Sequence, residues 1–137
     1  MENKNENILI IGAGLCGSLL ALRLAQRGYK VAVYESRPDL RKVAISAGRS
    51  INLALSDRGL KALRLCGVEE KARKICIPMK GRLMHDSLGN TFASNYSGRE
   101  GEYINSVSRG DLNAMLLDEA EKHENVTIYF NQKCEKV

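Results

Sequence analysis

The chain has 137 residues, 44% of them hydrophobic and 27% charged, with a net charge of +5 at pH 7, which allows one soluble globular domain at most, with a modest core. Its 21 basic residues are spread along the chain with few aromatics between them; this argues against the basic, aromatic-lined stripe of a nucleic-acid binder and favours an acidic small ligand such as a dinucleotide. No apolar run reaches the roughly 18 residues of a membrane span, and the polar start "MENKNENILI" has no secretory pattern, so a cytoplasmic protein without a membrane segment is expected.

In chain order, "NILIIG" places a short buried strand over Ile8–Ile11, ended by glycine. From Ala13 to Gln26 the period turns helical, with Leu15, Leu19, Leu22 and Ala25 on one face and Gly28 as the stop. "KVAVYE" is a second buried strand ending at Glu35. Strand, tight turn, helix and strand make a βαβ unit with parallel strands and a right-handed crossover. "SRPDLRKVAISAGRS" has no period and reads as a loop.

"INLAL", Ile51–Leu55, is a short strand. Ser56 caps a helix with Leu60, Leu63 and Cys66 inside and Gly67 at its end, and "VEEKARKI" is a further short helix. Pro78–Asp86, Thr91–Tyr96 and Tyr103–Val107 read as strands of a small antiparallel layer over the βαβ unit. Ser108 and Asp111 open a helix that buries Leu112, Met115, Leu116 and Ala120. "VTIYF" follows as a third Rossmann-type strand. The fold class is α/β, with a Rossmann-like βαβ core.

Gly12-x-Gly14-x-x-Gly17 sits between the first strand and its helix. The first glycine permits the tight turn, the second lets a pyrophosphate approach the backbone, and the third lets helix and strand pack closely. The helix N-terminal amides then face the phosphates. Glu35 stands where an acid accepts hydrogen bonds from a ribose diol. A carboxylate there repels a 2′-phosphate, which disfavours NADP in this site and leaves NAD or FAD. A solvated strand-end Glu would look the same if it stood alone.

Arg109, in the first turn of a helix, opposes the helix dipole at a cost of about 0.3–1 kcal/mol; an anion bound at that helix start reverses the sign. The four cysteines, Cys16, Cys66, Cys76 and Cys134, form no CxxC pair, and reduced, half-buried thiols are expected. His85 and His123 are read as structural, and no metal site is expected.

The segments "GAGLCGS", "VYESR", "GRSINLALSDRGLKAL", "IPMKGRLMH" and "SVSRGDLNAMLL" together closely resemble the kynurenine 3-monooxygenase family, among the FAD-dependent aromatic hydroxylases of the p-hydroxybenzoate hydroxylase type. The resemblance runs from Ile8 to Cys134, with "GRSINLAL" its most specific string. It implies FAD as cofactor, NADPH as cosubstrate without a second Rossmann motif, and O₂ and L-kynurenine as reactants, in the kynurenine pathway of tryptophan breakdown toward NAD. Gly12, Gly14 and Gly17, with the backbone of Leu15 and Cys16, resemble the FAD pyrophosphate turn. Glu35 resembles the adenosine-ribose acid, and Arg37 lies beside the adenine end. Ala54 resembles a backbone contact near the flavin side. Arg109 resembles the arginine that reaches the FAD phosphates, and Cys134 a backbone contact to adenine. Arg82 and Tyr96 resemble the pair that holds the amino-acid carboxylate of the substrate, for which an arginine fork and a phenol hydroxyl are suited. Taken alone, these two would pass for a strand-face Arg and a half-buried aromatic.

The family continues with a central "DG" segment, a "GDAAH"-like motif and the rest of its substrate domain. Residues 1–137 are therefore expected to be the N-terminal part of an FAD-binding domain, inactive alone and binding FAD weakly or not at all. The first strand should have an unpaired edge, through which the isolated chain self-associates. Two other readings stand beside this one: another FAD-dependent hydroxylase or oxidase of the same superfamily, and a non-catalytic dinucleotide-binding module.

Overall fold

A computed structural model describes residues 6–43, 51–99 and 101–136. The elements in chain order are β1 (Asn7–Ile11), α1 (Leu15–Gln26), β2 (Lys30–Tyr34), β3 (Asn52–Leu55), α2 (Asp57–Leu65) and α3 (Glu69–Lys74), followed by β4 (Cys76–Met79), β5 (Gly81–His85), β6 (Thr91–Asn95), β7 (Ile104–Ser108), α4 (Arg109–Glu121) and β8 (Val126–Tyr129). Residues 44–50, the second half of the expected loop and the start of the "GRSINLAL" string, lie outside the described residues.

Two apolar runs and the "VTIY" segment form one parallel sheet in the order β1-β2-β8. Asn7 stands opposite Lys30 and Ile11 opposite Tyr34; on the other side of β2, Val31 stands opposite Val126. The central strand buries Val31 and Val33, which share one face of the sheet, while Ala32 and Tyr34 on the other face are half-buried. Helix α1 ends at Gly28, whose φ of +85° takes the left-handed turn that L residues avoid. Its Ser18, Ala21, Leu22 and Ala25 are buried, and the small side chains of Ser18, Ala21 and Ala25 let neighbouring elements come close. Asn125 locks the crossover by donating from Nδ2 to the carbonyls of Ala25 and Tyr29 at 3.0 and 2.7 Å.

Helix α4 starts as its sequence suggests: Ser108 Oγ accepts from the Asp111 amide at 3.3 Å. Its buried set is Leu112, Asn113, Leu116, Leu117 and Ala120, wider than the expected stripe, with Met115 only half-buried. The reason is that α4 packs against α1 while also touching β7 and β8. Ser56 occupies the N-cap of α2, but its side chain makes no capping bond.

The antiparallel layer is two sheets rather than one. One has the order β3-β7-β4, and the other is the hairpin β5-β6. The run read as a single strand over 78–86 breaks at Lys80. Pairing with β7 runs through Pro78, opposite Asn105, and ends at Met79, opposite Ile104; Pro78, without an N–H, weakens that end of the ladder. Gly81 then brings the backbone against β6 so closely that a Cβ there would meet the Ser94 carbonyl oxygen at 2.6 Å. Every residue of β5 is exposed. Of the four cysteines, all free, Cys66 is buried and Cys76 half-buried, whereas Cys16 and Cys134 are exposed rather than half-buried.

Candidate functional site

The three glycines of the turn after β1 differ in what constrains them. Gly12 has φ +98°, a conformation that strains any L side chain. A Cβ at Gly17 would lie 1.9 Å from the Gly12 carbonyl oxygen, so this residue must be glycine for α1 to close onto the turn. Gly14 is bound by neither constraint. Its φ of −73° suits any residue, and a Cβ added there meets nothing within 4 Å. The protein itself leaves room above Gly14, at the N-cap of a helix that has no side-chain cap. Uncapped amides and an open approach make a cradle for an anionic group.

Glu35, just past β2, is 5% exposed. Its Oε2 accepts from the Ala13 amide at 2.8 Å and from Arg37 Nη2 at 3.1 Å. Its Oε1 accepts from the Arg37 amide at 2.8 Å, Arg37 Nε at 2.9 Å and Ser36 Oγ at 3.3 Å. The Arg37 guanidinium, with its own backbone N–H and that of Ala13, holds the carboxyl down at about 2, against the opposing push of burial. Arg37 therefore packs on the acid itself. Its side chain is 69% exposed against 6% for Glu35, so the guanidinium can move out into solvent when a ribose diol takes its place on the buried carboxylate. Arg41 pins the loop behind this acid, bridging Asp39 at 2.7 Å to Asp118 and Glu121 of α4 at 2.7 and 2.6 Å.

The next peptide of the glycine turn is held from the other side. The Ala13 carbonyl accepts from Ser18 Oγ and from Asn113 Nδ2, each at 3.0 Å. Sequence reasoning missed Asn113, which looks like one more polar residue of a helix; only its place between Leu112 and Leu116 on the inner face could have marked it. Arg109 is one turn before Asn113 on the same helix face, about 6 Å along the axis. It is exposed, and its amide donates to the Ile51 carbonyl at 3.1 Å. That bond ties the start of α4 to the start of β3, the strand that carries Ala54 opposite Ser106.

The segment after β8 returns to the acid: the Gln132 amide donates to the Glu35 carbonyl at 2.8 Å and the Asn131 amide to the Arg37 carbonyl at 3.2 Å. Cys134, exposed, lies two residues further on. Arg82 on β5 and Tyr96 after β6 are brought together, with the guanidinium 5.9 Å from the ring centroid. Tyr96 also lines a cleft of about 440 Å³ with Asp57, Arg73, Tyr103 and Asn105. Cys16 and Leu15 occupy the first turn of α1.

The family model described as "FAD binding domain" matches residues 5–137. The chain belongs to the FAD binding domain family. The family agrees with the turn: space above Gly14, an uncapped helix start and a buried acid at the end of the second strand all suit the adenosine-diphosphate half of FAD. Among full-length relatives, the chain is 47% identical to the kynurenine 3-monooxygenase of Legionella pneumophila, over 93% of the chain and 28% of that protein. It is 45% identical to that of Myxococcus xanthus over 99% of the chain and 29% of the relative. With that of Anopheles gambiae it shares 44% identity, over 97% of the chain and 27% of the relative. The chain thus spans under a third of the length of these curated relatives. In fold it resembles p-nitrophenol 4-monooxygenase from Pseudomonas putida, with a TM-score of 0.71 at 20% identity, covering 92% of this chain and 32% of the other. It also resembles 2-methyl-3-hydroxypyridine-5-carboxylic acid oxygenase, with a TM-score of 0.71 at 20% identity, covering 93% and 32%. Among the described residues, no helix of this FAD binding domain is long and apolar enough to cross a membrane.

Proposed function

We propose that this FAD binding domain serves a kynurenine 3-monooxygenase, and that the full-length protein hydroxylates L-kynurenine to 3-hydroxykynurenine with NADPH and O₂ in the cytoplasm. The observation that carries the reading is the 47% identity, over 93% of this chain, to a relative of that name. Residues 1–137 are then the N-terminal part of the domain and hold the adenosine and pyrophosphate half of the cofactor.

In this reading the residues take the following roles. The Gly14, Leu15 and Cys16 backbone, with Gly12 shaping the turn and Gly17 closing it, receives the pyrophosphate. Glu35 accepts from the ribose hydroxyls once Arg37 swings aside to the adenine, near the backbone of Cys134. Arg109 adds a cation beside the phosphates at a helix start where, without an anion, it opposes the dipole. Ala54 offers its backbone toward the flavin end. When bound, FAD supplies the redox chemistry that activates O₂. Arg82 and Tyr96 form a cationic and hydroxylic pair suited to the substrate carboxylate.

Among the described residues no strand pairs with the outer edge of β1, where Leu9 and Ile11 are 66% and 56% exposed. The isolated 137-residue chain is therefore proposed to self-associate through this edge and to lack hydroxylase activity. The cofactor is tested by denaturing the purified full-length protein and identifying the released dinucleotide by chromatography. Stoichiometric FAD is expected; NAD, or no dinucleotide after reconstitution with FAD, would refute the reading.

A further inference from the structure

Asn113 sits within the contact between α4 and α1, 5% exposed, among Leu112, Leu116 and Leu117. Its Nδ2 reaches the Ala13 carbonyl at 3.0 Å, across 100 residues of sequence. Its Oδ1 is buried and has no donor among the described residues. A buried amide oxygen without a donor lowers stability, and an apolar side chain of similar size would remove that penalty. Packing alone therefore favours leucine at this position. What asparagine adds is the bond to Ala13.

That bond completes the immobilisation of the glycine turn. Ser18 Oγ and Asn113 Nδ2 together occupy the Ala13 carbonyl, which fixes the plane of the Ala13–Gly14 peptide. Because the peptide is trans, the Gly14 N–H points opposite to that carbonyl, away from the two donors. The preceding plane is fixed through the Ala13 N–H by Glu35. Two successive peptide planes of the turn are thus set by side chains from three separate elements, next to the one glycine with open space above it. The same helix carries Arg109 one turn earlier, on the same face.

We propose that Asn113 is a positioning residue for the dinucleotide phosphates. It aims the Gly14 amide and keeps the glycine turn at a fixed distance from Arg109, so that two groups directed at one diphosphate stay in register. The inference rests on the FAD reading of this site. It separates the residue that sets the geometry from the residues that touch the ligand.

The test uses the full-length protein, with FAD titrated into the apoprotein by flavin fluorescence and the apoprotein melted separately. Asn113→Leu removes the bond and the unpaired oxygen together. Its melting temperature is expected to equal or exceed that of the unsubstituted protein while its FAD Kd rises at least tenfold. Asn113→Ser, measured beside it in case leucine does not fit, lowers the melting temperature through the void it leaves, and weakens FAD at least as much. In the Asn113→Leu background, Arg109→Ala costs less affinity than it does alone, because the register it depends on is already lost. Either folded variant binding FAD within twofold of the unsubstituted protein, or full additivity with Arg109→Ala, would overturn the proposal. Failure of the unsubstituted protein to bind FAD would instead refute the FAD reading, and this inference with it.

Discussion

The Ala13 amide donates to Glu35 Oε2 at 2.8 Å. The acid that ends the second strand is therefore part of the glycine turn as well as a candidate ribose acceptor. One buried carboxylate joins the first βα turn to the end of β2, so the two parts of the proposed cofactor site share a common anchor. Arg37 closes the other side of that carboxylate, and its exposure lets it yield to a ligand.

Glu35→Ala is expected to weaken FAD binding by about 1.5–3 kcal/mol, roughly 10- to 150-fold, through loss of a charge-assisted bond. Glu35→Asp keeps the charge and should lose less. Flavin fluorescence titration of the full-length variants reads both; equal retention of FAD by the two would remove Glu35 from the ribose.

Glu35 also makes stability depend on acid pH. Its carboxyl lies at about 2 in the folded protein against an ordinary 4.5, so its ionised form favours folding. That contribution is complete above about pH 4.5 and fades as pH falls toward 2. Unfolding curves of the unsubstituted protein and Glu35→Gln should therefore diverge most above pH 4.5 and converge toward pH 2. Parallel curves across that range would contradict the assigned ionisation.

The glycines separate fold from ligand. Gly17→Ala drives a Cβ to 1.9 Å from a backbone oxygen, and should cost several degrees of melting temperature or abolish folding. Gly14→Ala has no such collision and a permitted φ, so the apoprotein should melt near the unsubstituted temperature while FAD affinity falls at least tenfold. An unchanged FAD Kd for Gly14→Ala would mean that no phosphate approaches this backbone.

Arg82→Ala in the full-length protein should raise the KM for kynurenine strongly and leave the FAD content unchanged. Arg82 lies on the exposed hairpin and stacks on Tyr96, away from the glycine turn in sequence and sheet. Parallel loss of flavin would move Arg82 out of the substrate site.

What could be read from the sequence was local. Gly12, Gly17 and Gly28 carry backbone requirements set within a few residues, and the apolar runs announce β1 and β2 as strands; the burial expected of β1 is not met, since only Ile10 is buried and Leu9 and Ile11 are exposed. Choices of partner were not local. Nothing within residues 78–86 says that the chain leaves β7 at Lys80 to pair with β6, because the Gly81 contact is with Ser94. Asn113 acts on a carbonyl 100 residues away, so only the packing of α4 on α1 reveals it. The occupation of Glu35 by Arg37 is likewise a matter of side-chain geometry, invisible in the string "YESR".

The central claim is tested most directly by the turnover of the purified, FAD-loaded full-length protein. NADPH oxidation is followed by absorbance, with and without L-kynurenine, and the product is identified by chromatography and mass. The account predicts that kynurenine accelerates NADPH oxidation and appears as 3-hydroxykynurenine in proportion to the NADPH consumed. A flavin-loaded protein that forms no 3-hydroxykynurenine would contradict it.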